Sequence, residues 1–251
     1  MTPSPPSGTE LDALRDLAVG IARAAGRLLR ASAPTGQSLK SSPTDVVTDA
    51  DRATEHLIVS RLLAARPDDA ILAEEGSLHE GTSGCRWVID PLDGTVNFVY
   101  GIPMWSVSIG LDGAERLGVV YDPSRDEMFT DAGLDGASLH PSAEEDLSQA
   151  LIATGFSYRT QVRERQGDTF RRVIPRVRDV RRGGSLALDL AWVAAGRLDA
   201  LYESDIKPWD ISAGMAMVEA AGGAVWNEGD RIVAAGNPAL LEQLAEVVLG
   251  D

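Results

Sequence analysis

Residues 87–98, WVIDPLDGTVNF, lead an apolar, strand-like run into a turn that holds two aspartates, Asp90 and Asp93, three positions apart around Pro91 and Leu92. Like charges placed so close repel each other unless a cation lies between them. Gly94 and Thr95 follow. A glycine lets backbone approach a ligand closely, and TVNFVY (95–100) reads as a short helix whose free N–H groups face an anion. Metal-binding aspartates followed at once by an anion cradle suit a phosphate ester. The bland reading of the same stretch is a Pro-containing turn closed by Asx-type hydrogen bonds.

Outward from this stretch, other carboxylates fall at the ends of predicted elements. A helix is expected to start near Thr48, with Thr48 as N-cap and Asp51 at N3. Glu74 and Glu75 end a short buried strand, AILAEE (70–75). Asp210 opens a helix over DISAGMAMVEAAGG (210–223) as its N-cap, with Gly222 as the stop. Each has a structural reading: a cap for Asp51 and Asp210, a solvated strand end for the glutamates. Four separate segments presenting carboxylates at element ends nevertheless argue for one shared site. Carboxylates without a His or Cys cluster are hard oxygen ligands, which select Mg²⁺, Mn²⁺ or Ca²⁺ over zinc or copper. The Leu92 carbonyl offers a further oxygen, and Thr95 can hand a water proton towards Asp51 or Glu74. His56, His79 and His140 lie in unrelated contexts and read as surface or helix-face residues. The chain has no P-loop and no Gly-rich dinucleotide fingerprint, so nucleotide hydrolysis and hydride transfer have no support.

Composition narrows the function class. With 38 acidic against 23 basic residues among 251, the net charge of −15 disfavours nucleic acid and anionic membranes as partners. No apolar run reaches the ~20 residues of a membrane span. The stretch MTPSPPSGTE lacks the features of a secretory signal, and residues 1–9 read as a disordered tail. One cysteine, Cys85, fits a reducing cytoplasm.

The remaining pattern is mixed. A first amphipathic helix runs to about Arg30, and residues 31–45 read as loop broken by Pro34, Gly36 and Pro43. WSVSIGL, RLGVVYDP and EMFTDA predict an antiparallel meander after CRWVID. The polar stretch GLDGASLHPSAEEDLSQ (133–149) marks the boundary between an N-terminal α+β half (10–140) and a C-terminal α/β half (141–251). In the second half helices and strands alternate.

The motifs DVVTDAD (45–51), AEEGS (73–77), WVIDPLDGTVNF and KPWDISAGMAMVEAAGG (207–223), in this order, resemble the inositol monophosphatase family of Mg²⁺-dependent, lithium-sensitive phosphatases over about residues 10–245. The resemblance implies an αβαβα sandwich and two to three Mg²⁺ ions per site. It implies Glu74, Asp90 and the Leu92 carbonyl at a first metal, and Asp90, Asp93 and Asp210 at a second. Glu74 would reach a third through water. Thr95 and Asp51 correspond to the pair that polarises the attacking water, with Glu75 behind them. Asp93, Gly94 and Thr95 correspond to the phosphate-contacting segment; Gly184, Ser185 and Glu203 to contacts with polyol hydroxyls; Lys207 to a position that bears on substrate choice. Lys40 corresponds to a mobile loop near the metals. The hairpin GLDGASLHP is shorter than the family's GxGAF hairpin and lacks its aromatic residue, which bears on the edge of the first sheet. A homodimer is implied as well.

The expected reaction is hydrolysis of a small phosphate monoester, with myo-inositol 1-phosphate first because TVNF resembles the inositol branch, and histidinol phosphate or another sugar or nucleotide phosphate as the alternative. VVTDAD is also similar to the DxD of haloacid-dehalogenase phosphatases, which would place an aspartyl-phosphate on Asp49. Helix-forming residues follow it and the expected threonine is missing, against that route. A non-catalytic binding or regulatory module on the same scaffold is the reading from another class.

Overall fold

A computed structural model describes residues 8–39 and 46–250. The expected lysine of the mobile loop, Lys40, lies outside the described residues, as do residues 1–7 of the expected tail. The first helix already begins at Gly8.

Five layers stack in the order helix, sheet, helix, sheet, helix. The outer pair is α1 (Gly8–Ala31) and α2 (Asp49–Ala65), joined by a small antiparallel ribbon, β1 (Ser38–Leu39) with β2 (Val46–Val47). Its first strand lies in the stretch 31–45, expected to hold no regular element. Pro34 and Gly36 precede it, so neither breaks the ladder.

The first sheet has seven strands: β3 (Ala70–Ala73), β4 (Leu78–His79), β5 (Arg86–Asp93), β6 (Ser106–Asp112), β7 (Leu117–Asp122), β8 (Glu127–Thr130) and β9 (Gly133–Leu134). Their order is β4-β3-β5-β6-β7-β8-β9. β3 pairs parallel to β5, and β6–β8 form the expected antiparallel meander. The shortened hairpin still closes this edge, with Phe129 opposite Leu134. α3 (Thr95–Tyr100) leaves the end of β5.

The second sheet, order β11-β10-β12-β14-β13, comprises β10 (Leu151–Thr154), β11 (Asp179–Arg181), β12 (Ala200–Ser204), β13 (Ala224–Glu228) and β14 (Arg231–Ala235). Its outer face is covered by α4 (Thr160–Val173) and α7 (Pro238–Leu249). Between the sheets lie α5 (Leu186–Ala194) and α6 (Pro208–Ala220). Three apolar cores fill the interfaces. The first joins α1 and α2 to Trp87, Ile89, Val107, Ile109 and Leu117. The second surrounds α5 and α6, and the third lies under α7. The inner strands of each sheet are therefore covered on both faces, which is why they read as continuous apolar runs.

Two packing details fix the site. Gly110 and Gly118 sit opposite each other on β6 and β7. A Cβ at either would come within 2.3 Å of Ser212 Oγ or 2.0 Å of the Ala213 carbonyl, so α6 lies directly on the sheet. At the end of β5 the register slips: Asp90 pairs with Ser108 but Asp93 with Ser106. Three steps on one strand meet two on the other. Alternation alone would put residues 90 and 93 on opposite faces; the bulge at Pro91 returns them to the same face, towards the inner helices.

Asp69 secures the other end of β5. Its buried carboxylate accepts from Trp87 Nε1 at 2.9 Å and from both arms of Arg66, at 2.9 and 3.2 Å. Burial opposes ionisation, but the hydrogen bonds from Arg66, Ser83 and Trp87 hold the carboxyl below its ordinary range. A depressed acid stabilises the fold above the unfolded pKa of about 3.9, and that stabilisation is lost as pH falls through the lower folded value. Asp69→Asn is expected to cost about 1–3 kcal/mol in urea unfolding at pH 7. The difference from wild type should shrink below about pH 4; a gap independent of pH would show that Asp69 does not act as an ion.

Candidate active site

Thr48 caps α2 as expected. Its hydroxyl accepts from Ala50 N at 3.2 Å, while Asp51 Oδ2 accepts from Thr48 N at 2.9 Å and from Thr48 Oγ1 at 2.5 Å. This occupies one carboxylate oxygen. The other, Oδ1, lies 3.0 Å from Thr95 Oγ1, whose single proton can go to it or to the Leu92 carbonyl, also at 3.0 Å. The cap and the link to Thr95 thus use different oxygens of one side chain, and Asp51 serves both readings.

The turn at the end of β5 is an Asx turn as well as a site. Asp90 Oδ1 accepts from Leu92 N at 3.0 Å. Asp93 Oδ2 accepts from Ser185 Oγ at 2.6 Å and Ala187 N at 2.8 Å, which ties it to the N-terminus of α5. Gly94 follows with φ +94, in the left-handed region. A Cβ there would stand 3.0 Å from the Met104 carbonyl and 3.2 Å from that of Gly184, so this close approach needs glycine.

Asp210 differs from expectation in one respect. It is the third residue of α6, not its N-cap; Lys207 is the cap, and Lys207 N donates to Asp210 Oδ2 at 2.6 Å. Pro208 at the first helical position begins the helix earlier than the apolar pattern suggests.

One cavity of about 460 Å³ gathers most of the expected residues. Glu74, Asp90, Leu92, Asp93, Gly94, Thr95, Gly184, Ser185, Glu203, Lys207 and Asp210 all line it. Asp51 stands behind the wall and reaches it through Thr95. Glu75 is not on the wall; its N–H donates to Glu55 Oε2 at 2.7 Å, and Ser77 N donates to Glu55 Oε1 at 3.1 Å. The buried Glu55 therefore holds the turn that presents Glu74.

The electrostatics are those of crowded, desolvated acids. Asp90 is held well above the carboxylate range by burial and then by Glu74, Asp93 and Asp210. Asp210 is raised by burial, against the pull of Lys207 N–H, and by Glu74 and Asp93. Asp93 is pushed to about 6 by burial despite hydrogen bonds from Ser185 and from the backbone at Ala187 and Leu186. Glu203 is pushed to about 8, by burial and then by Asp189. Among the described residues, no three His, Cys, Asp or Glu side chains already converge as a metal-ligating cluster. The acids are instead distributed over one wall and coupled through their charge. As a donor set, buried carboxylates and a carbonyl that destabilise one another fit a hard divalent cation, which relieves their repulsion.

The sequence model of the inositol monophosphatase family matches residues 10–248. The chain belongs to that family. It is 45% identical over 202 residues to inositol-1-monophosphatase SuhB of Mycobacterium tuberculosis, covering 74% of this chain and 70% of that one. It is 39% identical over 225 residues to Nus factor SuhB of Escherichia coli, covering 84% and 83%. The solved structure of extragenic suppressor protein suhB from Bartonella henselae superposes with a TM-score of 0.88 at 35% identity, over 95% of this chain and 99% of that one. That solved structure carries the layered fold described above.

Two residues of this family member escaped the reading of the sequence. Arg182 stands at the cavity mouth. Asp189, the one acid in the otherwise apolar helix LALDLAWVA, lines the cavity while 2% exposed, with Oδ1 lacking a hydrogen bond among the described residues. A lone carboxylate in an apolar helix was the available signal. Burial, then Asp93, raises the Asp189 carboxyl, and Arg182 pulls it the other way. An acid raised in the folded state loses stability as pH rises from the unfolded pKa, about 3.9, to the folded one. Asp189→Asn is expected to unfold in urea like wild type near pH 4 and to be more stable at pH 7.5. Equal stability at both would show that the buried charge carries no cost.

Proposed function

We propose that this chain hydrolyses a small phosphate monoester, myo-inositol 1-phosphate first, with Mg²⁺ held by Glu74, Asp90, the Leu92 carbonyl, Asp93 and Asp210. The observation that carries the reading is the wall of mutually repelling buried carboxylates beside Gly94 and Thr95, with Thr95 linked to Asp51. Bound Mg²⁺ would supply charge neutralisation for the phosphoryl oxygens and leaving alkoxide, and acidify a water. The protein's own part is placement and proton handling. Thr95 Oγ, donating to Asp51 Oδ1, is left with lone pairs for a water proton; as the water oxygen bonds to phosphorus and the ester P–O bond breaks, the proton passes through Thr95 towards Asp51. The departing alkoxide takes a proton from solvent. Glu203, Ser185 and Gly184 are proposed to receive the alcohol's hydroxyls, Lys207 to tune which alcohol is accepted, and Glu75 to support the site through its backbone link to Glu55. Histidinol phosphate is the alternative substrate.

The name inositol-1-monophosphatase carried by the M. tuberculosis relative supports this reading. The name Nus factor carried by the E. coli relative, which names no enzyme activity, favours a second one, a non-catalytic binding or regulatory role on the same scaffold. Single-cysteine usage supports a reducing cytoplasm, and the family resemblance a homodimer. Among the described residues no helix is long and apolar enough to cross a membrane.

Phosphate release from inositol 1-phosphate and histidinol phosphate, with Mg²⁺ and with EDTA, is the test. Release that EDTA abolishes is expected. Asp93→Asn should lower kcat by at least about a hundredfold with unchanged circular dichroism. Near-normal turnover in that variant would remove Asp93 from the metal set. Silence of the wild type with both compounds would favour the non-catalytic reading.

A further inference from the structure

One side of the main cavity is formed by the turn Phe156–Arg159, between β10 and α4, and by Glu203–Asp205 at the end of β12. Asp205 stands at φ +68. Among residues with a side chain, Asn and Asp visit this left-handed region most readily, and an outlier there persists where its surroundings over-determine it. Here the surroundings are donors from the neighbouring turn. Asp205 Oδ2 accepts from Ser157 Oγ at 2.5 Å and from Arg159 Nε at 3.1 Å, while Oδ1 accepts from Arg159 Nη2. Both carboxylate oxygens thus meet the guanidinium fork, the stronger geometry for such a pair. Asp205 is nearly buried; Arg159 reaches it from the solvent side.

Ser157 is the hub of this frame. Its N–H donates to Gln166 Oε1 at 2.8 Å, and its carbonyl accepts from Arg163 Nε at 2.6 Å. Its hydroxyl, besides donating to Asp205, accepts from Arg159 N at 3.0 Å. The buried Gln166 carries the link back to β12, donating to the Ser204 carbonyl at 3.0 Å and to Ser204 Oγ at 3.1 Å. Every polar group of Ser157 is engaged in the frame, although the residue lines the cavity. Phe156 packs on Phe170 of α4, with 6.0 Å between ring centres. Beside the same segments, however, lies a second cavity of about 270 Å³, which shares Thr154, Gly155, Glu203, Ser204 and Asp205 with the main one. With a cavity on each side, hydrogen bonds more than packing set where the turn stands.

We propose that the Asp205–Arg159 pair is a clasp that sets how large an alcohol the main cavity accepts. It holds Phe156 and Tyr158, which line the cavity with Glu203, in the position that fits a small polyol. This rests on the phosphatase reading of the main cavity and goes beyond it. Neither clasp residue touches the scissile ester; both are positioning residues that act through the turn. With the clasp open, the turn is free to move and a bulkier alcohol fits.

The test compares inositol 1-phosphate with adenosine 2′-monophosphate, a monoester of a much larger alcohol, in steady-state kinetics with Mg²⁺ for wild type, Asp205→Asn and Arg159→Met. Asparagine tolerates the left-handed backbone and still accepts from Ser157, so that substitution removes the charge and little else. Wild type is expected to favour the inositol ester about a hundredfold in kcat/KM, and each variant to cut that preference about tenfold. The change should lie in KM, with kcat for inositol 1-phosphate within about twofold of wild type. A variant that only loosened the fold would lower kcat for both esters and keep the preference. Added salt, which screens the pair, should narrow the preference of wild type and leave that of Asp205→Asn unmoved. Equal kcat/KM values in wild type, or a preference that survives both substitutions, would overturn the clasp while leaving monoester hydrolysis standing. If wild type hydrolyses neither ester, the phosphatase reading fails, and calorimetric titration with the same two esters still decides. A ratio of affinities that both substitutions narrow supports the clasp; an unchanged ratio, or no binding of either ester, overturns it.

Discussion

Asp93 accepts two hydrogen bonds from the start of α5, one from Ser185 Oγ and one from Ala187 N. Through this contact the last residue of a strand in the first sheet is joined to a helix of the central layer. Ser185 is also the N-cap of α5, accepting from Leu188 N, and lies 3.2 Å from Ser106 Oγ on the neighbouring strand. A carboxylate satisfied by a helix N-terminus is favoured by the helix dipole as well as by the bonds themselves. The contact therefore sets the distance between the β5 turn and the Gly183–Gly184 loop, the two walls of the main cavity.

The price of that arrangement is electrostatic. Asp90, Asp93 and Asp210 come from two elements yet share one desolvated wall with Glu74, and each raises the proton affinity of its neighbours. A fold tolerates such crowding only where apolar packing over-determines it. Here the Gly110–Gly118 pair seats α6 against the sheet, which brings Asp210 to the wall whatever the repulsion. The Pro91 bulge does the same for Asp93. Neither device is needed to build a sheet or a helix; both are needed to bring the acids together.

This explains what could be read from the sequence. WVIDPLDGT announced itself because its strand, turn and two acids are contiguous, and Thr48 with Asp51 because a capping box has a fixed spacing. The layered fold followed from the resemblance and from apolar strand runs that only a sheet covered on both faces requires. Asp210 was placed on the right element but with the helix start three residues late, since a proline at the first helical residue hides the true cap. The ribbon of β1 and β2 and the edge strand β11 are too short and polar to carry a period. Nothing in the helical pattern of α2 marks Glu55. Its burial comes from the turn at Glu74–Ser77, twenty residues away, a pairing that periodicity does not encode.

The two ends of the cavity differ in kind. The acidic end is made of a strand terminus and two helix starts, locked by hydrogen bonds between residues a few positions apart: Leu92 to Asp90, Thr48 to Asp51, Lys207 to Asp210. The opposite end is assembled from the Gly183–Gly184 loop, the end of β12 and the turn at Phe156–Arg159, which meet only in the folded chain. These local bonds fix how each acid is turned, and the contacts of Asp93 with the start of α5 and of Asp51 with Thr95 tie the acids to one another. The loop-built end lacks these bonds: a change at Arg182, Tyr158 or Arg163 alters the shape and charge of the mouth without touching them. Selectivity for the alcohol can therefore change in this fold while the acidic wall stays as it is.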